Sequence, residues 1–244
     1  MCIHRDGVLA SLVLKEEYCF QMGLAVFNEI NTVVFTQNAV SGSAVNAMGN
    51  IIDGENMKVL TLLGSAKKKG NTATVLGWVE EELQAAGHNV ERIYLHNKSI
   101  NGCMGCAKCR DYPDDIACIQ KDDAESIMEQ MIASDAVLFA SPLYFWGFTA
   151  QIKALIDRGY ALVTNYHLPD QTSLMKGKRV GLLATGGGPF ENNAEGMFTA
   201  FDRIVGFLMA KKAGELYLGG CSVPAELSAD VKDKAVELSR SLVV

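Results

Sequence analysis

Four of the chain's seven cysteines stand close together, at Cys103, Cys106, Cys109 and Cys118. Two residues separate each of the first three, and the charged segment RDYPDDIA precedes the fourth. Cysteines at this spacing wrap three corners of an iron-sulfur cubane, and another thiolate completes the set. Zinc sites more often pair cysteines in two separated CxxC knuckles, and a redox-active thiol pair needs only two. By themselves the cysteines leave cluster, zinc and thiol redox chemistry open.

The segment GSAKKKGNT, residues 64–72, lies between an apolar run and a helix-like run. The first amides of a helix, together with the helix dipole, bind phosphate. Ser65, Asn71 and Thr72 add side-chain donors, and Gly70 lets the backbone close on an anion. Neither GxxxxGK[ST] nor GxGxxG occurs here, which disfavours nucleoside triphosphates and Rossmann-type dinucleotides. A solvated lysine-rich turn is the alternative to a phosphate site.

Two later segments are suited to a flat ligand. SPLYFWGF, residues 141–148, carries three consecutive aromatic residues at the end of an apolar run. A planar aromatic cofactor would account for such exposed rings, and an aromatic interface patch is the alternative. ATGGGPFENN, residues 184–193, has three glycines whose amides can approach the carbonyl edge of a flat ring. We therefore expect both segments to line one site.

These segments need a scaffold that brings them together, and the chain from residue 57 predicts one. Compact apolar or alternating runs predict strands over 58–63, 89–95, 136–140, 179–185 and 214–220. Amphipathic runs predict helices over 71–87, 123–134, 149–162, 194–210 and 225–242. This alternation predicts an α/β fold with a doubly wound, five-stranded parallel sheet and helices on both faces. The loops after strands one, three and four then meet at the carboxyl edge, where such sheets bind ligands.

Composition narrows the class of partner. The 244 residues carry a formal net charge of −6, which disfavours nucleic acid and anionic membranes as partners. No apolar run is long enough to span a membrane, so we expect no membrane association. A domain of this size needs no disulfides to fold. We therefore expect a cytoplasmic protein, where clustered cysteines indicate metal or redox chemistry.

Residues 1–56 do not follow the strand–helix alternation. They are apolar enough to pack but show no clear periodicity. We predict that 1–56 is an N-terminal extension and that 57–244 is the ligand-binding domain. Within that domain, residues 100–122 form a cysteine-rich insertion.

The three loops, in this order and spacing, resemble the flavodoxin-like NAD(P)H-dependent FMN reductase family. The resemblance covers residues 57 to about 220. It implies a flavodoxin-like fold that binds FMN, with the FMN phosphate at Ser65, Gly70, Asn71 and Thr72 and added charge from Lys67 or Lys69. It also implies that the flavin ring and ribityl chain contact the residues of the second and third loops, Pro142, Leu143, Tyr144, Phe145, Trp146, Gly147, Thr185, Gly186 and Gly187.

The cysteine segment, followed by Asp122 and Asp123, is similar to that of the iron-sulfur flavoproteins in this family. That resemblance implies a [4Fe–4S] cluster held by Cys103, Cys106, Cys109 and Cys118, and assembly as a homodimer or homotetramer. The eight residues between Cys109 and Cys118 are more than the compact motif has. The expected function is that of an oxidoreductase that passes electrons between FMN and the cluster. We expect no catalytic side chain. The electron donor would be NAD(P)H or a protein, and the acceptor a small molecule or a protein. The alternatives are a cluster-free NAD(P)H:quinone or FMN reductase and a non-catalytic electron carrier or redox sensor.

Overall fold

The computed structural model describes residues 56–111, 115–116, 118–224 and 227–244, and the backbone of four short upstream strands. Those strands are Val26–Asn28, Thr32–Val34, Ala44–Val45 and Ile51–Ile52, and the first two pair antiparallel. The chain divides into two compact units, Met1–Ala44 and Val45–Val244. Apart from these strands and residue 56, the predicted N-terminal extension lies outside the described residues and stays a prediction.

The second unit is built on a five-stranded sheet. Its strands are β1 (Lys58–Leu63), β2 (Asn89–Tyr94), β3 (Ala136–Pro142), β4 (Arg179–Thr185) and β5 (Lys211–Leu218). They lie in the order β5-β4-β3-β1-β2, and every neighbouring pair is parallel. This is the flavodoxin-like order of a doubly wound sheet, with its switch point between β1 and β3. The predicted fold class is confirmed.

Within the part of the chain that the structure describes, five helices cover the two faces of the sheet. They are α1 (Asn71–Ala85), α2 (Asp123–Ile132), α3 (Ala150–Arg158), α4 (Glu195–Phe207) and α5 (Ala229–Val243). Because side chains alternate along a strand, β1 serves two cores. Leu60 packs in a core with residues of α2, α3 and α4, whereas Val59 packs in a core with residues of α1 and α5. The sheet is therefore buried on both faces, as the apolar strand sequences predict.

The strand register brings the carboxyl ends to one edge. Leu63 at the end of β1 is opposite Ala140 of β3, and Thr185 at the end of β4 is opposite both Pro142 and Leu218. The loops that leave β1, β3 and β4 therefore begin side by side. This edge is where the sequence predicts the site.

Most element ends differ from the sequence-based expectation by a few residues, and the largest difference follows α3. The helix predicted over 149–162 ends at Arg158 and continues as a 3-10 turn, Gly159–Leu162. An antiparallel pair, Val163–Thr164 with Thr172–Ser173, follows it and was not predicted. Such two-residue strands are too short to leave a periodic pattern. Among the described residues, no helix is long and apolar enough to cross a bilayer.

Candidate functional site

Three loops at the carboxyl edge are tied together by hydrogen bonds. The Gly64 amide donates to the Ala140 carbonyl over 2.8 Å, which joins the first loop to β3. The Leu143 amide donates to the Thr185 carbonyl over 2.8 Å, which joins the second loop to β4. The buried hydroxyls of Thr72 and Thr185 are 2.7 Å apart. The structure thus brings together the three segments that the sequence singles out.

The first loop leads into the uncapped end of α1. Gly70 is the N-cap residue, and within the described chain no side chain caps α1 and no acidic residue lies in its first turn. The Oδ1 atom of Asn71 is buried without a hydrogen-bond partner among the described atoms. Ser65 is buried, and its hydroxyl accepts a 3.1 Å hydrogen bond from the Lys67 amide. Open amides and a polar atom without a partner fit a phosphate at this helix end.

Lysines flank this loop on its exposed side. Lys67 and Lys69, the two residues predicted to assist the phosphate, are exposed. Lys68 instead lies over the Tyr94 ring, 5.1 Å from its centroid, and the Tyr94 hydroxyl donates to the Ala66 carbonyl. The structure therefore holds the middle lysine on β2 and leaves its two neighbours in solvent, where the role predicted for them stays a prediction.

Gly64 marks a close approach between the first loop and α3. A Cβ at this position would lie 2.6 Å from Thr149 Oγ1 and 2.5 Å from Ile152 Cδ1. Thr149 is the N-cap residue of α3, and its buried Oγ1 has no partner among the described atoms. Its amide donates to Ser141 Oγ over 3.3 Å. Two buried oxygens near the first loop, on Asn71 and Thr149, therefore have no partner among the described atoms, and such atoms are common at functional sites.

The aromatic loop is a tight turn with an unusual backbone. The amide and carbonyl of Tyr144 and Gly147 bond to each other over 3.1 Å in both directions. Between them, Phe145 and Trp146 have φ of 46° and 61°, as in a type I′ turn. A bulky residue in this region costs about 1–2 kcal/mol. Phe145 is 94% and Trp146 62% exposed, so contacts within the described chain do little to offset that cost.

This turn and the glycine loop face a shared hollow. A cavity of about 280 Å³ is lined by residues of both loops, namely Leu143, Phe145, Trp146, Gly187, Gly188 and Asn193. Among these lining residues, all except Gly188 and Asn193 are ones that the sequence predicts to contact a flat ligand. Strained backbone and exposed rings at a ligand-sized hollow are typical of a functional site.

The residues that support the glycine loop are not evident from the sequence. The Tyr217 hydroxyl donates to the Gly188 carbonyl over 2.8 Å and accepts from Asn193 Nδ2 over 2.9 Å. A Cβ at Gly186 would lie 2.5 Å from the Tyr217 oxygen. Burial raises the pKa of Tyr217, so the hydroxyl keeps its proton and remains a donor. The only sequence signal for Tyr217 was its position in β5. That position does not reveal its hydrogen-bond partners, because they are distant in sequence.

The predicted cysteine-rich insertion lies between β2 and α2. Cys103, Cys106, Cys109 and Cys118 all line one cavity of about 400 Å³. Burial and the neighbouring thiols raise the pKa of Cys109, against the effect of a backbone hydrogen bond. Within the described part of the chain, however, no three His, Cys, Asp or Glu side chains are grouped so as to hold a metal ion. Four thiols around one space fit the donor chemistry of an iron-sulfur cluster.

A buried ion pair lies behind this cavity, and its arginine is one of the lining residues. Arg158 is 2% exposed, and its Nη1 donates to Asp122 Oδ2 over 2.8 Å. Asp122 also caps α2 by accepting the Ala124 amide, and it accepts the Asn101 amide over 2.9 Å. Burial alone would raise the pKa of Asp122, but these hydrogen bonds, first that of Arg158, hold it below its usual range. The pair joins the insertion to α3.

Asp157 and Arg158 are neighbours in sequence at the end of α3. The structure separates them: Asp157 pairs with Lys153 over 2.6 Å on the exposed side of α3. Arg158 points inward and lines the cavity with the four cysteines. Sequence periodicity does not reveal this role because Arg158 is a charged residue in a buried position.

Comparisons with known proteins agree with this geometry. The family model for NADPH-dependent FMN reductase matches residues 57–210. An iron-sulfur flavoprotein of Archaeoglobus fulgidus is 39% identical over 102 residues, 42% of this chain and 45% of that protein. An iron-sulfur flavoprotein of Methanocaldococcus jannaschii is 30% identical over 173 residues, 71% of this chain and 80% of that protein. The chain spans about half the length of the first four curated relatives that it matches.

Solved structures support the fold. An NAD(P)H:quinone oxidoreductase from Methanothermobacter marburgensis superimposes with a TM-score of 0.57 at 19% identity, over 76% of this chain and 96% of that one. At this identity the likeness concerns the fold alone.

Proposed function

Because the chain belongs to the NADPH-dependent FMN reductase family and to its iron-sulfur flavoprotein-like branch, we propose that it is an FMN-dependent oxidoreductase that also holds a [4Fe–4S] cluster. Electrons would pass between a nicotinamide or protein donor, the two cofactors and an acceptor. The proposal is carried by the hydrogen-bonded convergence of three loops at the carboxyl edge of the sheet, together with a separate cavity that four cysteines line.

The residues around the loops fit FMN. The phosphate group would take the open amides at the beginning of α1, with the Asn71 side chain nearby. The type I′ turn would cover one side of the isoalloxazine ring and the glycine loop the other, across the hollow that they share. The proposed binding residues are therefore those predicted from sequence, Ser65, Lys67, Lys69, Gly70, Asn71, Thr72, Pro142, Leu143, Tyr144, Phe145, Trp146, Gly147, Thr185, Gly186 and Gly187.

FMN, when bound, supplies hydride and single-electron chemistry, so the chain needs no acid or base of its own. The protein's part is to bind, orient and shield. Glycine-loop amides would face the ring edge, and Tyr217 holds that loop in place through Gly188. Phe145 and Trp146 would exclude water from the ring face.

Cys103, Cys106, Cys109 and Cys118 would hold the cluster in their shared cavity. A cluster there supplies single-electron capacity, which complements a cofactor that accepts electrons in pairs. The exposed aromatic turn supports assembly as a homodimer or homotetramer, since exposed rings of this size are usually covered. Free thiols at these positions suit a reducing compartment such as the cytoplasm.

The test is anaerobic purification followed by a visible spectrum and assays for flavin, iron and acid-labile sulfide. We expect FMN, and about four iron and four sulfide atoms per chain, the content of one cluster. Cys106→Ser is a suitable variant because Cys106 is exposed, and it should lose iron while retaining FMN. Protein that binds no FMN after reconstitution would overturn the proposal.

A cluster-free NAD(P)H:quinone or FMN reductase is the second candidate. It is favoured by the finding that no group of side chains among the described residues could hold a metal ion. Flavin absorbance without iron or sulfide would select it. Bleaching of the flavin by NADH or NADPH would separate both enzymes from a non-catalytic carrier, which the nicotinamides would leave oxidised.

A further inference from the structure

The Arg158 guanidinium is held from several sides. Besides Asp122, it donates through Nη1 to the Asn101 carbonyl over 3.2 Å and through Nη2 to the Gln120 carbonyl over 3.3 Å. Asn101 and Gln120 flank the cysteine segment at its two ends, so one buried side chain ties both ends to α3. Such a clamp positions the insertion more firmly than the exposed ion pairs on its surface.

The Arg158 side chain has one more hydrogen-bond donor, its Nε. The Nε of Arg158 is buried and has no acceptor among the described atoms. Arg158 lines the cavity together with Cys118. A buried N–H without an acceptor costs free energy, and an anionic sulfur group in the cavity would satisfy it.

We propose that Arg158 is a positioning residue for the cysteine site, which anchors both ends of the cysteine segment and raises the reduction potential of the cluster bound there. This inference rests on the proposed function, since it requires the cluster. Reduction adds negative charge to a cluster, and a nearby buried cation or hydrogen-bond donor favours the reduced form. Asp122 anchors the guanidinium and is not among the residues that line the cavity.

Arg110 is a matched control. It also lines the cavity, but it is exposed and stacks on Tyr160, with its Nε donating to the Tyr160 hydroxyl over 2.8 Å. Solvent screens its charge, whereas the charge of Arg158 is buried. Removing either arginine changes the net charge equally, so a difference between the two variants reports position and burial.

The experiment is a redox titration of reconstituted full-length protein, followed by electron paramagnetic resonance for the cluster and by absorbance for FMN. We expect Arg158→Gln to shift the cluster midpoint to a more negative potential, Arg158→Lys to shift it less, and Arg110→Gln to leave it near the wild-type value. The double variant Arg158→Gln/Asp122→Asn keeps the buried charge balanced, so it guards against misfolding of the single variant. Its midpoint should also lie below that of the wild type.

Three results would overturn the inference. Variants of Arg158 that retain iron and sulfide with an unchanged midpoint would limit the residue to a structural role. An equal shift in Arg110→Gln would assign the effect to net charge rather than to this contact. Wild-type protein without iron and sulfide would overturn the proposed cluster itself, and the inference with it.

Discussion

Gly186 offers a test of how the glycine loop is supported, because its nearest neighbour is the Tyr217 hydroxyl oxygen, which holds that loop by hydrogen bonds. Alanine at this position would place a Cβ 2.5 Å from the Tyr217 oxygen, well inside contact distance. Tyr217 cannot simply swing away, because its hydroxyl bonds to both the Gly188 carbonyl and Asn193 Nδ2. Its ring also packs edge-on against Phe190 and Phe198.

The expected cost follows from these contacts. Overpacking of a filled site costs about 1–3 kcal/mol, and each hydrogen bond lost as Tyr217 moves costs about 1 kcal/mol. We therefore expect Gly186→Ala to lower the free energy of unfolding by about 2 kcal/mol, or the melting temperature by about 4–8 °C for a domain of this size. The loop would shift with the tyrosine, so FMN affinity should fall by about tenfold, the equivalent of 1.4 kcal/mol.

Two measurements are needed, urea unfolding of the FMN-free protein and a titration of FMN by its fluorescence. Gly187→Ala is the control, because a Cβ there meets no described atom within 4 Å. It should leave stability within about 0.5 kcal/mol of the wild type and still weaken FMN binding if the ring passes over Gly187. The double variant Gly186→Ala/Tyr217→Phe removes the clashing oxygen and should recover part of the lost stability.

Gly186→Ala protein as stable as the wild type would refute the reasoning, since it would mean that Tyr217 moves without cost. Equal destabilisation by Gly186→Ala and Gly187→Ala would refute it too, because only one of the two positions faces Tyr217.

Three further predictions concern other parts of the site. Phe145→Gly should be about 1 kcal/mol more stable than Phe145→Ala in thermal unfolding, because only glycine relieves the positive φ, and equal stabilities would contradict a strained turn. Thr72→Val leaves the buried Thr185 hydroxyl without its partner and should cost about 1–3 kcal/mol in urea unfolding, whereas Thr72→Ser should cost less. Because the pKa of Asp122 is lower in the folded than in the unfolded protein, this carboxylate stabilises the fold. The contribution is fully present above the pKa of the unfolded state, about 3.9, and is lost as the pH falls through the pKa of the folded state. Unfolding followed against pH should therefore show a shallower acid loss for Asp122→Asn, and an unchanged slope would exclude this carboxylate as a source.

Much of the fold was predictable because the signals are local. Helices cover both faces of the parallel sheet, so the sequences of its inner strands are short apolar runs. The aromatic loop was predicted to meet a ligand or an interface, but its type I′ turn was not predicted. Two successive positive φ values at Phe145 and Trp146 do not follow from the identities of these residues. That conformation accompanies the reciprocal hydrogen bonds in which the amides of Tyr144 and Gly147 each donate to the carbonyl of the other residue.

The supporting residues of both sites were not predictable, because their contacts join distant parts of the chain. Arg158 and Asp122 are 36 positions apart, and Asn193 and Tyr217 are 24 apart. A charged residue at the end of an amphipathic helix is usually solvated, so nothing in α3 indicated that Arg158 would be buried beside four cysteines. The same holds for Tyr217, whose position in an edge strand suggested only packing.

By itself, therefore, the sequence determined the order of strands and helices, the three loops at the carboxyl edge and the identity of the four thiols. These depend on periodicity and on residue type, which are written along the chain. Only the tertiary structure decided that Thr72 meets Thr185, that Tyr217 supports the glycine loop, and that Arg158 lies in the wall of the cysteine cavity. Those contacts form when β1, β3, β4 and β5 align in register, so they are a property of the assembled sheet rather than of any one segment.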